Sequence, residues 1–166
     1  MTKFVRLAAL AAVTFAATPA FAQVAASPKA NATVRITKPL ILEAEENLDF
    51  GTIAVYGPGT VSVSQGGAGT CGPAAEMVCD FTLAKAARFR VKGSNNTAVT
   101  IAATGSTLAR VGGGASLGFT PDSPTTLTLP NSGSVGTTFN VGGSVTLAAA
   151  TPAGTYVGDI EVTVNY

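Results

Sequence analysis

The last stretch of the sequence is Pro152-Ala153-Gly154-Thr155-Tyr156-Val157-Gly158-Asp159-Ile160-Glu161-Val162-Thr163-Val164-Asn165-Tyr166. After Gly158, apolar side chains recur at every second position and alternate with polar ones. A period of two with one apolar face is the pattern of a half-buried β-strand. Its β-branched and aromatic residues suit a pleated, packed surface. We therefore predict a C-terminal strand whose core face consists of Tyr156, Ile160, Val162, Val164 and Tyr166.

The region before this strand also has the pattern of a strand. Residues 139–149 are largely apolar and predict one long or bulged strand, with Gly142-Gly143 as the place of the bulge. Residues 145–149 are followed by Pro152-Ala153-Gly154, which are turn formers. Two strand patterns separated by turn residues are typical of a β-hairpin, so we predict that residues 145–149 pair with the C-terminal strand.

The run Pro-Ala-Gly-Thr-Tyr-x-Gly-x-Ile-x-Val-Thr-Val-x-Tyr resembles the end of the spore coat protein U and archaic chaperone–usher pilin group. Three further stretches fit an uncharacterised secreted branch of that group: Pro39 to Leu42, Leu48 to Gly51 and Val141 to Thr146. The resemblance implies an immunoglobulin-like antiparallel β-sandwich that lacks one strand. It also implies a structural subunit of an extracellular fibre or surface coat.

In pilins of this kind, the groove of the missing strand is filled first by a periplasmic chaperone and then by the N-terminal extension of the next subunit. By this resemblance the donor would be residues 30–42, inserting Val34, Ile36 and Leu40. The C-terminal strand, Tyr156 to Tyr166, would border the acceptor groove and pair with the chaperone. The implied partners are copies of this chain or related subunits, the chaperone and an outer-membrane usher.

The beginning of the sequence has the features of an export signal. Lys3 and Arg6 precede an apolar run at residues 7–17. Ala20-Phe21-Ala22 follows and supplies the small residues of a cleavage site. These features predict a signal peptide over residues 1–22. A membrane-spanning helix is the weaker interpretation, because the apolar run is shorter than the ~20 residues that a bilayer requires. We expect that the chain has no membrane span. We also expect it to pass through the periplasm and to reach the cell surface or the outside of the cell. A flexible leader at 23–31 and one domain at 32–166 would follow.

The composition supports an all-β fold and argues against several functions. The chain has 19 Gly and 9 Pro but no Trp and no His, which favours many short strands joined by turns. With 10 basic and 9 acidic residues, it lacks the charge that nucleic acid binding requires. The lack of histidine excludes histidine-based triads and histidine-liganded metals, and no G-x-S-x-G motif occurs. We expect neither an enzyme nor a cofactor.

Cys71 and Cys79 are the only two cysteines. In an exported protein such a pair predicts a disulfide. The chain-entropy model gives a loop of this size a stabilisation of about 2.5 kcal/mol.

The segment that begins at Ala32 allows two interpretations. Val34, Ile36, Leu40 and Leu42 share one parity, but Lys38 interrupts their face and Pro39 cannot donate a ladder hydrogen bond. Either this is one edge strand with a break, or it is two pieces at 32–37 and 40–42. In the second case Leu40 and Leu42 begin the subunit's own first strand, and Val34 and Ile36 carry the insertion.

Two charged clusters are candidate binding features. Four acids form a linker that leads into residues 48–53: Glu43, Glu45, Glu46 and Asp49. They could suggest a site for a hard cation, but the Asp/Gly spacing of a calcium loop is missing, so we predict a solvated loop. Arg88, Arg90 and Lys92 share one face of a predicted strand. This basic stripe either increases solubility or binds an acidic partner.

Two further segments are ambiguous in sequence. Gly67, Gly69 and Gly72 match G-x-G-x-x-G, but no βαβ pattern surrounds them, so we predict a turn over residues 65–73. Residues 74–89 contain good helix formers and also alternate like strands. We favour two strands, 80–83 and 88–92, joined by a turn at 84–87. The alternative function for the whole chain is a self-complete monomeric β-sandwich that acts as a binding module.

Overall fold

The computed structural model describes residues 28–130 and 135–166. The predicted signal peptide at 1–22 and residues 23–27 of the predicted leader therefore lie outside the described residues. The chain divides into two units, residues 1–35 and residues 36–166. Within the first unit, residues 28–35 are exposed and have no regular secondary structure.

The second unit is all-β, as the sequence predicts. No helix occurs in the described residues, and the strands are β1 Ile41–Glu46, β2 Thr52–Val55, β3 Gly59–Val63, β4 Gly69–Gly72, β5 Met77–Asp80, β6 Ala87–Lys92, β7 Thr97–Thr104, β8 Ser106–Arg110, β9 Ser116–Asp122, β10 Thr126–Leu129, β11 Thr137–Leu147, β12 Tyr156–Val157 and β13 Glu161–Asn165. Their pairings are antiparallel.

The strands form a β-sandwich of one large and two small sheets. The eight-stranded sheet has the order β1-β6-β11-β9-β8-β12, with β3 paired to both β11 and β4. The small sheets are β10-β7-β13 and β2-β5. The long strand β11 pairs with β6 through residues 137–141 and with β3 and β9 beyond that point. It therefore holds the two halves of the large sheet together.

The first core lies between the β6 side of the large sheet and the sheet β10-β7-β13. Its buried members are Ala87, Phe89, Val91, Val99, Ile101, Leu129, Phe139 and Val141. The rings of Phe89 and Phe139 stack with centroids 5.6 Å apart. Because alternate residues of β6 point inward, Phe89 and Val91 enter this core while Arg88 and Arg90 do not.

The second core lies between the other half of the large sheet and β2-β5. Its buried members are Val61, Met77, Phe119, Val145 and Leu147. Leu48 and Ile160 pack against both cores. The sandwich is thus continuous around β11, which contributes buried residues to each core.

The predicted hairpin with the C-terminal strand is wrong, because β11 pairs with β6, β3 and β9 instead. The predicted single strand is also divided. β12 pairs with β8 in the large sheet and β13 pairs with β7 in the three-stranded sheet. Between them the chain crosses from one sheet to the other. Gly158 lies so close to β8 that an added Cβ would be 2.6 Å from the carbonyl oxygen of Thr107.

The Gly142-Gly143 pair is not a bulge, because the pairing with β9 runs in regular register through both residues. At this pair, β11 stops pairing with β6 and begins to pair with β9 and β3. An added Cβ at Gly142 would lie 2.2 Å from the carbonyl oxygen of Val63, and one at Gly143 would lie 2.4 Å from the ring of Phe119. Glycine is therefore required by close packing of neighbouring strands.

Two predicted loops contain strands. The turn predicted at 65–73 is confined to its first residues, and Gly69–Gly72 forms β4. The acids predicted to lie in a loop belong largely to β1. The region 74–89 contains strands and no helix, as we predicted. The strands are Met77–Asp80 and Ala87–Lys92, so the first lies three residues earlier than the predicted 80–83. β4 pairs with the preceding strand β3 in a hairpin, whereas β1 pairs with β6, which is distant in sequence.

Candidate functional site

The N-terminal segment presents exposed apolar side chains at alternate positions. Val34 is 82% exposed and Ile36 is 86% exposed. Residues 28–40 contain no strand. Among the described residues, 28–37 take part in no sheet pairing and make no backbone hydrogen bond. The predicted donor side chains Val34 and Ile36 are thus uncovered in this structure.

Leu40 is placed differently from the other two predicted donor residues. It is half-buried and packs against the first core together with Leu42. The next residue, Ile41, begins β1 and lies opposite Lys92 of β6. Of the two interpretations open from sequence, residues 40–42 follow the second, since they lead into the domain's own first strand. Residues 32–37 form no strand.

A hydrogen-bond network at Tyr166 fixes the start of β1. The Tyr166 hydroxyl donates to the carbonyl oxygen of Lys38 and accepts from the backbone N–H of Ser94 at 2.8 Å. The Lys38 N–H donates to Ser94 Oγ at 2.7 Å. The sequence predicted Tyr166 as a core-facing residue, yet its side chain is 47% exposed. The one signal in the sequence for this anchoring role is the residue type, because a tyrosine hydroxyl commonly finds a hydrogen-bond partner.

β13 is an edge strand. It pairs with β7, with Val162 opposite Ala103 and Val164 opposite Ile101. Its other side has no strand partner in the described part of the chain. Ile160, Val162 and Val164 are half-buried against the first core. An edge of this kind offers unpaired backbone N–H and C=O groups to another strand.

Tyr156 does not share that edge. It lies opposite Arg110 of β8, and its hydroxyl donates to the carbonyl oxygen of Pro152 at 2.8 Å. Arg110 also donates to the Ala153 carbonyl oxygen. Tyr156 therefore holds the turn before β12, and the structure separates it from Ile160, Val162 and Val164.

Acidic and basic side chains of β1 and β6 neutralise one another. Glu45 contacts both Arg88 and Arg90, and Glu46 lies 2.9 Å from Arg88. Lys92 Nζ lies 3.1 Å from Glu43. We call this set the β1–β6 ion ladder. The basic stripe predicted from sequence therefore has its acidic partner in the same chain.

A register shift between Ala44 and Glu46 explains how the ladder closes. Glu45 is the extra residue of this irregularity, so Glu45 and Glu46 together face Arg88. Three of the four acids that could suggest a cation site, Glu43, Glu45 and Glu46, are thus engaged with arginine or lysine. The fourth, Asp49, accepts a hydrogen bond from the Gly51 N–H at 2.8 Å. In the described residues, no group of three or more metal-ligating side chains is assembled.

The predicted disulfide is confirmed. Cys71 and Cys79 are bonded, with Cα atoms 6.4 Å apart. Cys71 lies opposite Val61 in β3, and Cys79 lies opposite Ile53 in β2. The bond therefore ties the two-stranded sheet to the large sheet beside the second core.

A shallow cavity of about 370 Å³ lies by β3, β4, β9 and β11. Five of its ten lining residues carry a hydroxyl group, and the Ser62 and Thr70 hydroxyls are 2.6 Å apart. Its one acid, Asp122, accepts a hydrogen bond from Gln65 Nε2 at 2.9 Å. The glycines of the G-x-G-x-x-G match belong to a β-hairpin and are not followed by a helix, so nothing here favours a dinucleotide.

A family model described as a domain of unknown function, DUF4402, matches residues 40–166. Comparison with curated proteins and with solved structures gives no match. The described part of the chain holds no helix with the length and hydrophobicity that a bilayer crossing needs.

Proposed function

The chain belongs to the DUF4402 domain family, and we propose that it is a pilin-like structural subunit of an extracellular fibre or surface coat. Subunits join when the N-terminal segment of one copy adds a strand to the β13 edge of the next. The donor is residues 30–37, and the inserting side chains are Val34 and Ile36. Leu40 stays within its own subunit.

The observation that carries this proposal is the exposure of Val34 and Ile36 on an unpaired segment. Two β-branched side chains at alternate positions favour an extended strand. Left uncovered in water, such a segment is an aggregation hazard. Insertion into a second copy would give it a defined partner and would bury both side chains.

The acceptor side is consistent with such insertion. β13 has one free edge among the described strands, and Ile160, Val162 and Val164 are only half-buried. Burial of Val34 and Ile36 against them would contribute roughly 3–6 kcal/mol before ordering costs, at about 1.5–3 kcal/mol for each side chain. Backbone hydrogen bonds along the added strand would increase this contribution.

The same edge defines the partners we propose. Before a neighbouring subunit arrives, the free edge of β13 needs temporary cover, which a periplasmic chaperone would provide. Export of the chain by its N-terminal signal, followed by an outer-membrane usher, would then deliver subunits to the cell surface. These partners follow from the resemblance to chaperone–usher pilins.

The first test replaces both donor side chains, as Val34→Ser with Ile36→Ser, in the exported chain. We expect wild type to form concentration-dependent oligomers or fibres, measured by light scattering with size exclusion and by electron microscopy. The double variant should remain a monomer, because serine removes the apolar burial. The matched control is Val78→Ser with Val111→Ser, since those valines are 60% and 61% exposed. The control should assemble like wild type.

A second measurement joins donor and acceptor in one molecule. Residues 30–37 are attached after Tyr166 through a short flexible linker, and the original copy of these residues is removed. The fused monomer should melt above the deletion variant, and the same fusion carrying serine at both donor positions should lose the gain. Equal melting temperatures of all three proteins would contradict strand donation.

The second candidate is a self-complete monomeric binding module. The pairing of β1 with β6 favours it, because residues 41–46 already complete one edge of the large sheet. A wild-type chain that stays monomeric at high concentration, with no gain from the fused donor, would establish this alternative.

A further inference from the structure

The proposed donor and the proposed acceptor each carry one charged residue that makes no ion pair within residues 28–130 and 135–166. Arg35 and Glu161 are both exposed. Neither takes part in an ion pair among the described residues. Three basic residues of β6, by contrast, are all engaged by β1. Arg35 and Glu161 are therefore available for a partner outside their own subunit.

Strand periodicity places these two charges on the same face of an added strand. Ile160, which directly precedes β13, and Val162 turn toward the core, and Glu161 between them turns outward. In an extended donor, Val34 and Ile36 would share one face and Arg35 would point to the other. When the apolar face of the donor meets the core, Arg35 and Glu161 both face solvent beside the shared backbone.

We propose that an Arg35–Glu161 pair between two copies of this chain sets the register of strand donation. This inference rests on the proposed function. With Arg35 opposite Glu161, Val34 and Ile36 face Val162 and Ile160. A slip of one residue would turn Arg35 toward the core, which costs far more than an exposed charge. A slip of two residues toward Asp159 would place Ile36 opposite Gly158 and lose its apolar contact.

The direction of the donor follows from the residues that flank it. An antiparallel donor in this register brings Ala32 opposite Val164 and Thr33 opposite Thr163. A parallel donor would instead bring Lys38 opposite Val164, on the core face. Lys38 is charged, and its backbone is already held by Ser94 and Tyr166. The antiparallel arrangement is therefore the one we propose.

The test uses the exported full chain in four forms: wild type, Arg35→Glu, Glu161→Arg and the double exchange. Each single reversal places like charges opposite each other and should lower the association constant roughly threefold to tenfold. The double exchange should restore most of the loss, since it recreates an opposite-charge pair. Association is measured by analytical ultracentrifugation at low salt and at high salt, where the differences should shrink.

Two controls separate register from net charge. Lys29→Glu changes the leader by the same charge as Arg35→Glu and should leave association unchanged. Glu161→Thr with Thr163→Glu moves the acid two positions along β13 at constant net charge. With Arg35 opposite the acid at position 163, Val34 and Ile36 would still meet Val164 and Val162, so this variant should retain association in a register moved by two residues. A loss as large as that of Glu161→Arg would show that the pair does not set the register.

The outcomes distinguish this inference from the function on which it rests. If all forms associate equally, or the double exchange is as weak as the singles, the register is wrong while strand donation stands. If wild type itself never associates and the fused donor adds no stability, both are overturned. The same four charge forms placed in the fused monomer provide a second readout, in which the double exchange should recover the melting temperature.

Discussion

At the scale of single residues, Tyr166 shows how a side chain at a strand end can fix another element. Its hydroxyl joins Lys38 and Ser94, which are far apart in sequence. Gly93 permits this approach, since an added Cβ would lie 2.7 Å from the Tyr166 hydroxyl oxygen. The network therefore anchors the backbone at Lys38, immediately before Leu40 enters the core.

Removal of this hydroxyl should loosen the anchor without unfolding the domain. For Tyr166→Phe we expect a loss of about 1 kcal/mol in the free energy of unfolding, because two hydrogen bonds of an exposed group disappear. Amide hydrogen exchange should accelerate at Ser94, whose N–H loses its acceptor, and at Lys38, whose N–H donates to a less ordered Ser94 side chain. Tyr156→Phe is the matched control and should leave both amides unchanged. Unchanged exchange at Ser94 in Tyr166→Phe would contradict the anchor.

At the scale of elements, β1 is held to β6 by charge as well as by backbone pairing. Glu45 lies at the centre of the β1–β6 ion ladder and its side chain is 18% exposed, whereas Glu46 is 38% exposed. Pairs at exposed positions contribute little because water screens them. Glu45 contacts two arginines from a less exposed position, so its contribution should exceed that of Glu46.

A comparison of two glutamine variants tests this difference. Glu45→Gln should lower the free energy of unfolding by about 1 kcal/mol, and Glu46→Gln should lower it by less than about 0.5 kcal/mol. Urea denaturation at low and high salt measures both, and the effect of Glu45→Gln should diminish in high salt. Equal effects of the two substitutions would show that Glu45 has no central role.

At the scale of the whole molecule, the two-stranded sheet depends on the disulfide. β2 and β5 pair only with each other among the described strands. Such a ribbon is marginally stable alone and needs packing or a covalent tie. The second core supplies packing through Met77, and the bond between Cys71 and Cys79 supplies the tie.

Removal of the disulfide should therefore weaken the whole sandwich. Replacement of both cysteines by alanine should lower the free energy of unfolding by about 2.5 kcal/mol, the value that the chain-entropy model gives for this loop. Chemical denaturation of the oxidised wild type, the reduced wild type and the double variant measures the effect. The reduced protein and the variant should behave alike. A loss below about 1 kcal/mol would mean that packing alone holds β2 and β5.

The sequence by itself determined the all-β class, the disulfide, and the half-buried face formed by Ile160, Val162 and Val164. Each of these depends on residue type or on a period of two, which local sequence contains. Only the tertiary structure decided that β13 pairs with β7, that Glu45 faces Arg88, and that Tyr166 reaches Lys38. The physical reason is that alternation specifies which side chains turn inward, while the backbone hydrogen bonds that join strands are nearly the same for every pair. The choice of neighbour is made by the packing of the two cores, between residues distant along the chain.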